Sequence, residues 1–255
     1  MKKLPELTVL FWLTKIVATT LGETAGDLLS MTLNVGYASS SMILFGVFII
    51  FVSVQLWLNK YIPFVYWFVV LATSTSGTTM SDFMDRTLGL GYAKGSLLLI
   101  CLLLIILFVW KLSEKSLSVT NITNKRTETF YWTAILFSNT LGTALGDYLA
   151  DDSGLGFAGG AILIGSVLAI VILAHYYTKI SSVFLFWIAF ILTRPFGATF
   201  GDLLTKSTVK GGLDYGTKGA SILLFSLLLI FIFYETNQLN KCSQGRKLDD
   251  KKQRE

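Results

Sequence analysis

Four tryptophans, Trp12, Trp67, Trp132 and Trp187, are each followed fifteen residues later by an aspartate: Asp27, Asp82, Asp147 and Asp202. Ten residues after each Trp stands a glycine (Gly22, Gly77, Gly142, Gly197), and fourteen after it a small residue (Gly26, Ser81, Gly146, Gly201), so the copies share the string G-x-x-x-[GS]-D. A glycine and an aromatic residue then mark the start of a second segment at Gly36-Tyr37, Gly91-Tyr92 and Gly156-Phe157; in the fourth copy this junction reads as stretched by about three residues, from Gly212 to Tyr215. Repetition at this period restricts the chain to architectures built by stacking one supersecondary unit. The Trp spacings are 55, 65 and 55 residues, so copies one and three, like copies two and four, are 120 apart, as duplication of a pair would leave them.

The solvent for this unit follows from composition. With 53% hydrophobic and 15% charged residues and a mean hydropathy of +0.64, the chain is too apolar for a soluble domain of its length. Apolar stretches of roughly 20 residues, enough to cross a bilayer, occur near 8–29, 38–58, 62–83, 92–112, 130–149, 157–177, 182–204 and 216–235. The expected fold is an all-α membrane protein of about eight transmembrane helices, arranged as four parallel two-helix repeats (about 9–58, 62–112, 130–177 and 184–235). One transmembrane domain would then fill residues 1–240, followed by a disordered tail over 241–255, where charged and polar residues mix. The odd-numbered spans are interrupted by Gly, Thr and Asp, so a strict hydropathy window scores them weakly. The first apolar run carries no small-residue cleavage site and reads as a span, not a signal peptide.

Fourteen Lys and Arg residues fall on the amino terminus, the loops joining even to odd spans and the carboxyl tail, against five (Arg86, Lys94, Lys206, Lys210, Lys218) on the opposite loops. The positive-inside rule therefore places both termini in the cytoplasm. All six tryptophans lie near the cytoplasmic ends of spans in this topology, as an interfacial aromatic belt would require.

On a helix, Trp to Asp is about 22 Å of rise, which sets each aspartate in the outer part of a hydrocarbon core roughly 30 Å thick. A carboxylate there needs a partner, water or a proton. Positions three, four and seven before each aspartate share its helix face: Thr24, Glu23 and Thr20 in the first copy, Thr79, Thr78 and Thr75 in the second, Ala144, Thr143 and Thr140 in the third, with Asn139 beside Thr140. In the fourth they become Thr199, Ala198 and Pro195, and Arg194 enters. The glycines four apart are the small-residue seam that brings transmembrane helices together.

Converged, the odd helices would place Asp27, Asp82, Asp147, Asp202 and Glu23 against Arg194 and, unless it snorkels to the cytoplasmic surface, Lys15. At least three negative charges would remain. Such a cluster retains protons or holds a cation. Its donors are all oxygen, which suits hard ions such as Mn²⁺, Mg²⁺, Ca²⁺ or Na⁺. The structural alternative is that each aspartate caps its helix or ties the following loop. Asp85, Asp151, Asp152 and Asp214 fall in outward loops and read as solvated. Cys101, Cys242 and His175 have no metal-ligand spacing.

The four Trp-to-Asp units resemble a bacterial membrane-protein family defined by a tandem repeat of unknown function, with two transmembrane segments and a characteristic Trp per unit. That resemblance spans roughly residues 9–235 and implies a multi-pass protein of the bacterial inner membrane, with no activity to carry over. A looser similarity links Gly22-Glu23-Thr24-Ala25-Gly26-Asp27 to the E-x-G-D signature of small, internally duplicated cation exchangers, one residue out of step.

These features lead to the expectation of a secondary transporter, a proton-coupled exporter of a Mn²⁺-like divalent cation. The carboxylates would bind the ion, and Thr20, Thr24, Thr75, Thr78, Thr79, Asn139, Thr140, Thr143, Thr199 and Arg194 would line its path. The expected partners are the lipid bilayer, an inorganic cation and protons, with no nucleic acid and no cofactor. Proton-driven efflux of a small organic solute and a non-transporting scaffold or partner subunit remain as alternatives. No catalytic triad, HExxH or P-loop pattern suggests an enzyme.

Overall fold

The computed structural model describes residues 4–119, 122 and 124–252, with side chains as far as residue 241. These residues form the long helices α1 (Val9–Asp27), α2 (Tyr37–Trp57), α3 (Pro63–Asp82), α4 (Tyr92–Glu114), α5 (Lys125–Asp147), α6 (Gly156–Tyr177), α7 (Ser182–Thr205) and α8 (Gly216–Lys252), and among the described residues there is no strand. Local sequence explains several starts. Thr8 caps α1 by accepting from the Phe11 N–H, Asn124 caps α5 by accepting from Arg126 and Thr127, and Pro63 opens α3, where its missing N–H is not needed.

Helices α1, α3, α5 and α7 close into a ring, each packed on the next and α7 on α1. The repeat glycine sets the distance of approach. A Cβ on Gly77 would lie 2.9 Å from backbone atoms of Asn139 and Thr140, and one on Gly197 the same distance from backbone atoms of Thr19 and Thr20. Gly22 meets the Ser74 side chain and backbone, and Gly142 meets the base of the Arg194 side chain. In every case the glycine ten residues after a Trp faces the residue seven after the next Trp around the ring, so four close helix seams share one register.

Each outer helix packs on the odd helix of the following repeat: α2 on α3, α4 on α5, α6 on α7, and α8 back on α1. This offset interlocks the units and closes the ring without a free end. Polarity is inverted relative to a water-soluble bundle. Many interior positions are Thr, Ser, Asp and Glu beside an aromatic and aliphatic core, while Met42, Ile50, Leu104, Phe108, Ile162, Ile170, Ile222 and Leu223 on the outer helices point outward. Five helices, α2, α4, α6, α7 and the Gly216–Lys241 part of α8, are long and apolar enough to cross a membrane. The polar ring helices α1, α3 and α5 fall outside that criterion, for the reason visible in their sequences: the Thr-, Gly- and Asp-rich face that lines the ring lowers their hydropathy.

At the far end of the ring helices, α1, α3 and α5 each end on the repeat aspartate and pass into one π-helical turn, closed by Leu33 N–H to Leu28 C=O, Leu88 to Phe83 and Ser153 to Tyr148, all at 2.9 Å. Two left-handed residues, spaced two apart, then reverse the chain: Asn34 and Gly36, Gly89 and Gly91, Gly154 and Gly156, Asp214 and Gly216. The fourth junction is therefore marked by Gly216, fourteen residues after its aspartate instead of nine, so its insertion is five residues and not about three. The extra residues replace the π turn with a short 3₁₀ turn over Thr208–Lys210.

Two further expectations change. Helix α8 continues to Lys252, across most of the segment expected to be disordered; a helix already nucleated by apolar packing propagates through Lys, Gln and Leu, and residues 253–255 lie outside the described set. The tryptophans also do not form an outward-facing belt. Trp67, Trp110, Trp132 and Trp187 are buried, and Trp57 alone of the six is largely exposed.

Candidate functional site

The ring encloses an axis with chemically distinct layers. At its Trp end, the aromatic residue preceding each repeat Trp points inward, and Phe11, Tyr66, Tyr131 and Phe186 line a cavity of about 260 Å³ bordered by Leu4, Pro5, Glu6, Leu7 and Val119. The Tyr66 and Tyr131 hydroxyls are 2.7 Å apart. Outside this layer, Trp67 Nε1 and the Tyr61 hydroxyl both donate to Glu235 of α8, at 2.8 and 2.6 Å. That all four aromatic pairs meet here, while the four aspartates meet at the opposite end, shows that the odd helices run parallel.

One turn further in, Lys15 is buried with its Nζ 3.6 Å from the centre of the Phe190 ring. The expected snorkelling to the surface does not occur, because the face of α1 carrying Lys15 is the face packed on α7.

Beyond Lys15 lies a fully buried knot of polar side chains. Arg194 Nη2 donates to Glu23 Oε2 at 2.9 Å, to Thr143 Oγ1 at 2.7 Å and to Thr78 Oγ1 at 2.5 Å. The two threonine hydroxyls donate in turn to Glu23 Oε2, each at 3.3 Å. Glu23, Thr78 and Thr143 all stand four residues before their aspartates, so three repeats present equivalent positions to the arginine of the fourth. One carboxylate oxygen each of Glu23, Asp147 and Asp202 lies within 4.8 Å of the others, close enough that the three could share a metal ion.

The aspartates end the axis in two matching clamps. Arg86 Nε lies 2.8 Å from Asp82 and Nη2 lies 3.4 Å from Asp147 of the next repeat. Lys206 Nζ lies 3.0 Å from Asp202 and 2.6 Å from Asp27, again on the next helix of the ring. Arg86 and Lys206 are 120 residues apart, the offset between repeat pairs, and each stands four residues after its own aspartate, on the same helical face. The clamps thus follow the two-fold relation of the duplicated pair.

This corrects the charge balance. Arg86 and Lys206, counted from sequence as loop residues, fold back onto the cluster, so its five carboxylates are bonded to three cations, an excess of two negative charges, while buried Lys15 lies further along the axis and is bonded to none of them. The i,i+4 spacing from Asp82 and Asp202 was the available signal. The aspartates do not cap the following turns: Asp27, Asp82 and Asp147 make no side-chain cap hydrogen bond there.

All the polar residues singled out from sequence are buried, yet they separate into two groups. Thr78, Thr143 and Arg194 reach Glu23. Thr20, Thr75, Thr79, Thr140 and Thr199 instead return their hydroxyls to carbonyls one turn earlier on their own helices. Thr24 accepts from Ser221 of α8 at 3.0 Å, and Asn139 Nδ2 donates to Thr73 at 2.9 Å. A stripe three to seven residues wide on a helix exceeds the face that an axis can see, so positions three before the aspartate turn toward the outer helices. Cys101 is exposed on α4, and His175 stacks edge-on against Tyr176.

The family described as Repeat of Unknown Function (DUF347) matches the chain four times in tandem, at residues 10–61, 65–116, 130–181 and 185–236. The chain belongs to that family. No curated protein and no solved structure matches it.

Proposed function

We propose that this four-repeat member of the family is a secondary transporter that spans a bacterial inner membrane with eight helices, both termini in the cytoplasm, and exports a hard divalent cation of the Mn²⁺ type in exchange for protons. The observation that carries this reading is the convergence of Glu23, Asp147 and Asp202 from three repeats to within 4.8 Å in a buried interior. Support for a lipid surround comes from the inverted polarity of the bundle, since ionisable groups inside a membrane face the bundle interior. The cluster's oxygen-only donors, carboxylates with the Thr78 and Thr143 hydroxyls beside them, suit a hard ion.

Charge balance supplies the coupling. Glu23, Asp27, Asp82, Asp147 and Asp202 exceed Arg86, Arg194 and Lys206 by two negative charges. Either one divalent cation or two protons neutralises that excess. Low polarity penalises net charge within the cluster, so the ion leaves as two protons enter and the cluster, which Lys15 lies outside, is neutral in both loaded forms. Arg194 and both threonines engage Oε2 of Glu23, which leaves the second carboxylate oxygen to a ligand.

The test is metal uptake into proteoliposomes under an imposed proton gradient. Asp147→Asn, which removes one of the three converging carboxylates, is expected to lower flux at least ~10-fold, as loss of groups around a metal does. Flux that survives in both Asp82→Asn and Asp147→Asn overturns the carboxylate mechanism. The aromatic cavity at the Trp end favours a second reading, proton-driven efflux of a small organic solute through the same carboxylates. Gradient-dependent movement of a dye with no flux of any metal would select it.

A further inference from the structure

We infer that Lys15 and Arg194 together hold a small inorganic anion inside the ring, between the aromatic layer and Glu23. Lys15 is 1% exposed and Arg194 fully buried. Nζ of Lys15 has no hydrogen-bond partner, and neither do Nε and Nη1 of Arg194, whose bonds to Glu23, Ser74, Thr78 and Thr143 all use Nη2. Three buried cationic donors are thus unpaired, and donors of that kind are normally satisfied by an acceptor.

The two side chains are neighbours. Lys15 rests on the ring of Phe190, and Phe190 and Arg194 are one turn apart on the same face of α7. The charge that acts most on Lys15 is that of Arg194, another cation. The clamps engage Asp27, Asp82, Asp147 and Asp202 with Arg86 and Lys206, and Glu23 is bonded to Arg194 itself. No carboxylate is therefore bonded to Lys15, and its contact with Phe190 offers a quadrupole in place of a counter-charge. An anion accepting from Lys15 and from the free nitrogens of Arg194 would satisfy all three donors and separate the two cations. Its binding is independent of the cation-exchange reading, because it needs no gradient and no divalent ion.

Chloride is the probe. The purified full-length protein is melted in chloride or gluconate at constant ionic strength, without divalent metal, and radiolabelled chloride is measured by equilibrium dialysis. A saturable rise of roughly 5–10 °C in Tm at a hundredfold excess over Kd is expected for chloride, with dialysis giving about one site. Lys15→Met should abolish both signals whatever its own basal stability, and Lys15→Arg should retain them. Equal melting in the two salts with no retained chloride overturns the inference, as does an unchanged chloride response in Lys15→Met. If transport fails while chloride binding persists, the proposed function falls and the anion site stands.

Discussion

Arg194 on the fourth repeat donates to Glu23 on the first at 2.9 Å, with neither side chain reaching solvent. The contact exists because α7 returns to α1 and closes the ring. Each partner is a departure from the repeat, since the equivalent positions elsewhere are Thr19, Ser74 and Asn139 for Arg194, and Thr78, Thr143 and Ala198 for Glu23.

Removing one partner strands the other as an unpaired buried charge. Arg194→Gln is expected to lose about 3–5 kcal/mol of stability. The double variant with Glu23→Gln should recover much of it, because two neutral amides can pair with each other and with Thr78 and Thr143. A double-mutant cycle from unfolding in detergent measures this; strictly additive losses would show that the pair is not coupled.

The clamps at the aspartate end should behave as equivalents. Lys206→Met leaves Asp27 and Asp202 without their cation, and Arg86→Met does the same for Asp82 and Asp147. Each is expected to destabilise by about 1–3 kcal/mol, with Lys206→Arg close to wild type. Because each change raises the cluster's excess negative charge from two to three, metal flux into proteoliposomes under a proton gradient should lose its two-proton balance. Coupling ratios identical to wild type would contradict the shared charge count.

Ring closure rests on glycines that allow backbone contact. Gly77→Ala and Gly197→Ala each place a Cβ 2.9 Å from backbone atoms of the next helix, which must separate, so losses of about 1–3 kcal/mol follow from overpacking. Gly46→Ala, on the outer helix α2 with nothing within 4 Å, is the control and should be neutral or slightly stabilising. Equal effects at all three positions in thermal melts would refute the seam.

Asp85, in the turn after α3, titrates near the physiological range. Burial pushes its carboxyl up to about 6, against the hydrogen bond from Ser81 and the charge of Arg86, which act the other way. A raised carboxyl favours the folded state only while protonated, so its contribution is complete below the usual carboxylate value and disappears as pH rises through about 6. The difference in Tm between wild type and Asp85→Asn should therefore shift against wild type between about pH 4 and 6 and level off above. A constant difference across that interval would show that Asp85 titrates normally.

Much of this was legible in the chain. The Trp-to-Asp interval is a rigid distance on a helix, so its fourfold recurrence implied both the repeat and the common level of the four aspartates. The glycine ten residues after each Trp announced close helix contact. The inward aromatic before each Trp was equally periodic and was obscured by the Trp beside it, whose usual interfacial role suggested a membrane belt. The roles of Arg86 and Lys206 were obscured because a cation just beyond a span reads as a loop residue until the chain is seen to turn back over the ring.

The sequence by itself determined the unit: two helices, a small-residue seam, a carboxylate at a set height and a left-handed reversal, all consequences of spacing along one backbone. Which of those side chains meet was decided by tertiary structure. Helix offsets tell where a residue stands on its own cylinder but not how far that cylinder is rotated against its neighbours, and a rotation of one position separates Thr78 and Thr143, which reach Glu23, from Thr79, which bonds back to its own helix. The pairing of Glu23 with Arg194, 171 residues away, followed only when four unequal copies closed into one ring.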